Sequence, residues 1–156
     1  MTTDLGRKAR KDVGVRLQRR DSWREPARDI GLLALRLSVG LMMLLAHGWP
    51  KLMNYAELLE KFPDPIGMGS GLSLFLAVSS EVGASVLIIV GLLTRLASVP
   101  LLVTMLVAGF VVHGSDPFAT QEKAFVYAAA YLTLILTGPG RLSLDNLLHS
   151  RLWLKR

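Results

Sequence analysis

Four ionisable side chains stand in or at the end of stretches apolar enough to lie in hydrocarbon. Arg36 and His47 belong to the run Ile30 to Trp49, Glu81 to Leu72 to Leu93, and His113 closes Ala97 to His113. A charge near the bilayer centre costs about 2.5 to 3.5 kcal/mol on insertion scales, so such groups face a partner or a wet cavity. Their spacing groups them. Arg36 and His47 are almost three helical turns apart and share a face, with Gly40 and Met43 between them. Glu81 shares its face with Ser85 and lies near the middle of its run, so a long Arg36 side chain reaching it predicts a buried Arg36–Glu81 ion pair. His47 and His113 fall at outer helix ends on different helices, each followed by glycine, and can flank one outward-facing pocket. Lys123, Tyr127 and Tyr131, at four-residue spacing, offer one ammonium and two phenols to the same interior.

Two chemistries compete for this set. Metal binding fits it less well. Two imidazoles with only Glu81 or Asp116 as a third ligand, and no cysteine, make no recognisable ligand spacing. A quinone site asks for hydrogen-bond donors to carbonyl oxygens, an apolar slot and a titratable group to pass protons, and His, Tyr, Arg and Glu beside membrane helices supply them. Each residue also has a structural reading: Arg36–Glu81 as a lock between helices, the histidines as interfacial caps, the tyrosines as packing residues with a hydrogen bond.

The elements that must position these groups follow from composition. Of 156 residues, 51% are hydrophobic, and the mean hydropathy is +0.42, which is too apolar for an ordinary soluble globule. Spanning about 30 Å of hydrocarbon takes roughly 17 to 25 residues of helix. Three segments meet that length. A fourth, Glu122 to Thr137, has a short uncharged core from Ala124 to Leu136, which tilting and snorkelling can accommodate. The expected fold is an all-α membrane protein, a four-transmembrane-helix antiparallel bundle with helices at about 30–49, 72–93, 97–113 and 122–137.

Positive residues are retained on the cytoplasmic side. Nine precede Ile30 (Arg7, Lys8, Arg10, Lys11, Arg16, Arg19, Arg20, Arg24 and Arg28), Arg95 lies in the second tight turn, and Arg141, Arg151, Lys155 and Arg156 lie in the tail. The other two loops hold only Lys51, Lys61 and Lys123. Both termini are therefore expected in the cytoplasm, with the His-bearing helix ends outside. The net charge of +6 serves topology and attraction to an anionic leaflet rather than nucleic acid. Zero cysteines exclude disulfides, thiolate metal sites, iron–sulfur ligation and thiol-linked haem. No covalent cofactor is expected, and redox chemistry would belong to a bound carrier or a partner. The first apolar run is too long for a signal core and lacks a small-x-small cleavage site.

Residues 1–28 form a basic extension, expected to be disordered or loosely surface-bound. The membrane domain spans 29–148, and 149–156 is a basic amphipathic tail. Trp49 suits an interfacial ring position, and Pro50 is expected to end the first helix. Lys51 to Phe62 carries the apolar spacing of an interfacial helix, followed by the breaker-rich Pro63 to Gly71. The turn Leu93-Thr94-Arg95 makes the second and third spans a hairpin, with Pro100 early in the third. Gly138-Pro139-Gly140 stops the fourth, and Leu144, Leu147, Leu148, Leu152 and Trp153 suggest a short helix on the inner surface. Gly31, Gly40, Gly83, Ala84, Ser85, Gly109 and Ala128 to Ala130 allow the close helix approach that packing in lipid needs, and also self-association.

Several motifs occur in order: Leu35-Arg36-Leu37, His47-Gly48-Trp49-Pro50-Lys51-Leu52, Glu81-Val82-Gly83, Gly91-Leu92-Leu93-Thr94-Arg95, His113-Gly114-Ser115-Asp116-Pro117-Phe118 and Gly138-Pro139-Gly140-Arg141-Leu142-Ser143-Leu144-Asp145. From about Ile30 to Leu148 the chain resembles the DoxX family of small membrane proteins. The resemblance implies a four-helix integral protein of the cell (inner) membrane, similar to the small subunit of thiosulfate:quinone oxidoreductase, with some members tied to membrane oxidoreductase complexes. Carried onto this sequence, it implies a site of Arg36, His47, Trp49, Lys51, Glu81 and His113. The basic extension lies outside the family pattern.

The leading expectation is a membrane subunit that binds a quinone for a partner oxidoreductase, with His47 and His113 donating at the outer mouth and Glu81 relaying a proton. Arg36 would hold Glu81 in place, and Trp49, Lys51, Tyr127 and Tyr131 would complete the ligand site. The alternatives are a non-enzymatic anchor or assembly factor, and a small-solute or proton pathway.

Overall fold

The computed structural model describes residues 25–153. Most of the expected basic extension and the last three residues of the tail lie outside that range. Among the described residues the secondary structure is all helical. Helix α1 runs Glu25–Met53, α2 is a single turn at Tyr55–Leu58, α3 covers Ser70–Val90 and α4 Thr94–Val112. Helix α5 is Phe118–Thr137, and α6 is Leu144–Trp153. Helices α1, α3 and α4 are long and apolar enough to cross a membrane.

The first helix does not stop at Pro50. A wide π-turn at Leu44–Gly48, in which the Trp49 N–H reaches back to the Leu44 carbonyl, lies directly before the proline. The looser turn gives the pyrrolidine ring room against the preceding carbonyls, so the helix continues through Met53. Little of the expected interfacial helix over Lys51 to Phe62 then remains: its first residues join α1, and only Tyr55–Leu58 forms a separate turn. Helix α4 begins at Thr94, three residues before Ala97, which places Pro100 in the helix interior rather than in its first turn.

Packing sets the register. A Cβ on Gly48 would lie 2.9 Å from the Glu81 backbone, and one on Gly40 would lie 3.3 Å from the Ser85 carbonyl oxygen. Farther along, Gly91 lies against the Arg36 guanidinium. Helices α1 and α3 are therefore antiparallel and in close contact, with glycines removing the side chains that would hold them apart. The Thr104 hydroxyl hydrogen-bonds Ser80 at 3.1 Å between α3 and α4. Helix α4 also packs along α5, where Gly109 admits the Phe125 ring. Met43, Leu74, Ile88, Leu101, Tyr131 and Leu134 are fully enclosed. Large apolar side chains such as Leu45, Leu96, Phe110 and Val126 are exposed, as surfaces that face lipid require.

The end of the molecule holding the α3–α4 turn is stitched from far along the chain. Gly91 and Leu93 both adopt left-handed backbone, at φ 73° and 49°. The N–H groups of Leu93 and Thr94 are accepted by the Asp145 carboxylate at 2.7 and 3.0 Å. This cap neutralises donors that the start of α4 would otherwise leave unpaired. In return the Asp145 N–H donates to the Gly91 carbonyl at 2.9 Å.

Candidate functional site

At the opposite end of these helices a cavity of about 600 Å³ opens between α1, α3, α4, α5 and the loop after α2. Its polar wall contains His47, Lys51, Glu81, Thr104, His113, Lys123 and Tyr127. The rest is largely apolar: Leu76, Ala77, Val103, Met105, Val107, Ala108 and Val112 from α3 and α4, with Phe62, Pro65, Ile66 and Met68 from the loop.

The central polar element is an ion pair. Lys51 Nζ donates to both carboxylate oxygens of Glu81, each at 2.6 Å. Glu81 is 2% exposed, so without a counter-charge its burial would be costly. The expected Arg36–Glu81 pair does not form. Because Gly48 packs on the Glu81 backbone, Lys51 stands one turn away, whereas Arg36 lies beside Gly91, about 18 Å farther along the helix axis. Arg36 instead donates to the Leu142 carbonyl near Asp145. Its Nε and Nη1 atoms are buried without a partner among the described residues, as are Ser85 Oγ, Thr94 Oγ1 and the Tyr131 hydroxyl.

The π-turn Leu44–Gly48 and a second at Ser79–Ala84 bring His47 and Glu81 to the cavity. Such turns add a residue to a helix and re-aim the side chains on either side. The His47 ring meets Tyr127 edge-on, 5.9 Å between centroids, and Tyr127 stacks on Tyr131 at 6.2 Å. His113, after a third π-turn at Ala108–Val112, lines the same cavity and shares a 2.7 Å contact between its Nδ1 and Asp116 Oδ2.

Of the sequence-derived candidates, His47, Lys51, Glu81, His113 and Tyr127 thus converge on one cavity. Arg36 sits at the far end, Tyr131 is enclosed behind Tyr127, and Trp49 is half exposed outside. The loop wall was not foreseen. It is held by Asp64, whose carboxylate accepts from the N–H groups of Met68 (2.9 Å) and Gly69 (2.7 Å) and from the Ser73 hydroxyl (2.9 Å). An aspartate followed within five residues by glycines is the signal that points to such a turn. The Gly69 N–H holds this carboxylate below the usual range, with Ser73 and Met68 adding to the effect against some desolvation. Among the described residues no three His, Cys, Asp or Glu side chains gather as a metal site.

Residues 31–114, which carry α1, α3, α4 and most of the cavity, match the sequence profile of the DoxX family. The chain belongs to the DoxX family. This DoxX chain is 28% identical to the inner membrane protein YqjF of Escherichia coli over 127 residues, covering 79% of the chain and 95% of that protein. It is 30% identical to the inner membrane protein YphA of the same organism over 133 residues, 77% of the chain and 91% of that protein. An uncharacterised protein of Haemophilus influenzae is 32% identical over 133 residues, with 78% and 93% covered. No solved structure matches the chain. With three apolar helices of spanning length and inner membrane relatives, it is a multi-pass inner membrane protein.

Proposed function

We propose that this DoxX chain binds a quinone-like, lipid-soluble redox carrier in the 600 Å³ cavity and serves as a membrane subunit of an oxidoreductase complex. The observation that carries this reading is the lining: an apolar slot into which four helices bring an ammonium–carboxylate pair, two imidazoles and a phenol. The volume falls within the roughly 300–1,000 Å³ of small-molecule sites, and an apolar pocket with few convergent polar groups is what such a ligand needs. A quinone would supply the electron-transfer chemistry for which this cysteine-free chain has no side chain of its own.

His47, Tyr127 and His113 offer hydrogen bonds to ligand oxygens, and Glu81 relays a proton between the cavity and its surroundings. Lys51 takes over the orienting role first given to Arg36, because it is the cation that holds the Glu81 carboxylate. The loop residues Phe62, Pro65 and Ile66 add apolar surface to the slot. The same reading makes α5 a fourth span: its 20 residues measure about 30 Å as a helix. The result is an antiparallel four-helix bundle with both termini cytoplasmic and the cavity facing outward.

Protein purified in mild detergent is expected to retain quinone and to gain several degrees in melting temperature when menaquinone or ubiquinone is added. Absence of both effects overturns the proposal. A second reading, a proton pathway, is favoured by buried polar atoms that have no partner among the described residues, Tyr131 OH, Ser85 Oγ, Thr94 Oγ1 and two nitrogens of Arg36, which lie beyond the cavity toward the α3–α4 turn. Proton flux into proteoliposomes that is unchanged when Glu81 and His113 are replaced together would count against it.

A further inference from the structure

The polar side chains of the cavity differ in how far they are already committed. Both oxygens of Glu81 are taken by Lys51. The Ser73 hydroxyl donates to Asp64, Thr104 is bonded to Ser80 and to the Pro100 carbonyl, and His113 Nδ1 is engaged with Asp116. The groups without a hydrogen-bond partner among the described residues include the Lys123 ammonium, the His47 ring and the Tyr127 hydroxyl. All three line the cavity. Lys123, Lys51 and Glu81 line the same cavity as the His47 ring. Among the lining side chains two ammoniums then face one carboxylate, which is already spent on Lys51, while Asp116 and Asp64 stand behind the lining on His113 and Ser73.

A pocket whose free side chains can all donate, and whose lining carries one ammonium more than it has carboxylates, favours a ligand that brings acceptors and a negative charge. The apolar remainder of the wall requires the rest of that ligand to be hydrophobic. We infer that the cavity selects an aromatic or lipophilic anion, with Lys123 as the residue that reads its charge and His47 and Tyr127 donating to its oxygens. This rests on the redox-carrier reading for the ligand's body and sharpens it to an acidic or enolate-bearing ring. Lys123 stands in the first turns of α5, at the end of the cavity that His113 also borders. The anionic group is thus directed to the mouth and the ring to the slot.

The test uses the full chain in nanodiscs and three probes. These are 2-methyl-1,4-naphthoquinone, which is neutral; 2-hydroxy-1,4-naphthoquinone, which is ionised at neutral pH; and 2-naphthoate, an anion that is not a quinone. The hydroxy compound is expected to bind about tenfold more tightly than the methyl compound, with the gap shrinking as salt is raised. In Lys123→Gln the preference is expected to vanish while affinity for the neutral probe changes by less than about twofold. Lys123 is exposed, and a melting curve matching the parent confirms that this variant folds.

Neutral quinone bound without any preference for the anion overturns the inference and leaves the redox-carrier reading intact. Naphthoate bound with neither quinone bound upholds an anion site and removes the quinone. A preference that survives Lys123→Gln overturns the assignment to Lys123. Failure of all three probes to bind overturns both readings.

Discussion

At the residue scale, the decisive contact is Lys51–Glu81, at 2.6 Å with Glu81 enclosed and Lys51 one-quarter exposed. Replacing Glu81 by Gln leaves the ammonium without its charge partner. Because Lys51 keeps some contact with solvent, the cost is expected at about 1–3 kcal/mol rather than the larger loss of a fully buried pair. Thermal melts of Glu81→Gln, Lys51→Met and the double variant check this: the double is expected to lose less than the sum of the singles. The same melts separate two roles. A folded Glu81→Gln protein that no longer retains quinone marks a functional pair, whereas one that unfolds early marks a lock between α1 and α3. Both partners stood out in the sequence, but their pairing did not. Helical phase placed Arg36 and Glu81 on facing surfaces, and only the depth at which Gly48 meets the Glu81 backbone decides which cation is level with the carboxylate.

At the element scale, glycines have unequal roles that the chain order alone does not reveal. Gly48→Ala would press a methyl within 2.9 Å of the Glu81 backbone, whereas a Cβ on Gly83 would meet nothing within 4 Å among the described residues. Gly48→Ala is therefore expected to cost about 1–3 kcal/mol by overpacking. Gly83→Ala is expected to be neutral or to stabilise by up to about 1 kcal/mol through helix propensity. Chemical or thermal unfolding of the two variants in parallel tests the α1–α3 register. The loop that walls the cavity carries a pH prediction. Asp64 has its pKa lowered in the folded protein, so its clasp on Met68, Gly69 and Ser73 is fully formed above the ordinary carboxylate range. The clasp is expected to be lost as pH falls through and below that range. The amide resonances of Met68 and Gly69, followed by NMR from pH 7 downward, should titrate together in the parent and stay flat in Asp64→Asn.

At the scale of the whole molecule, the cavity and the stitching made by Arg36 on Leu142 and Asp145 on Leu93 lie at opposite ends of the same helices. The proposed topology places the cavity outside and the stitching inside. Cysteine introduced at Ile66, exposed in the cavity loop, is expected to react with a membrane-impermeant maleimide in intact spheroplasts. Cysteine at Leu142, exposed beside Arg36, is expected to react only after permeabilisation. Labelling of both from the same side would refute the orientation drawn from the distribution of Lys and Arg.

The sequence by itself determined the class of the protein, its three long apolar helices, the family, and the set of polar residues worth examining. Those follow from local quantities: hydropathy over a helix length, the cost of charge in hydrocarbon, and short motifs in order. The tertiary structure decided which of those residues meet. Three π-turns re-aim side chains that a uniform helical period would place elsewhere. The depth register set by Gly48, Gly40 and Gly91 gives Glu81 to Lys51 and sends Arg36 to the carbonyl of Leu142. Asp64 folds a loop over the cavity, and Asp145 caps a helix from some fifty residues away. Each of these depends on relative position between segments, which periodicity along one segment does not encode.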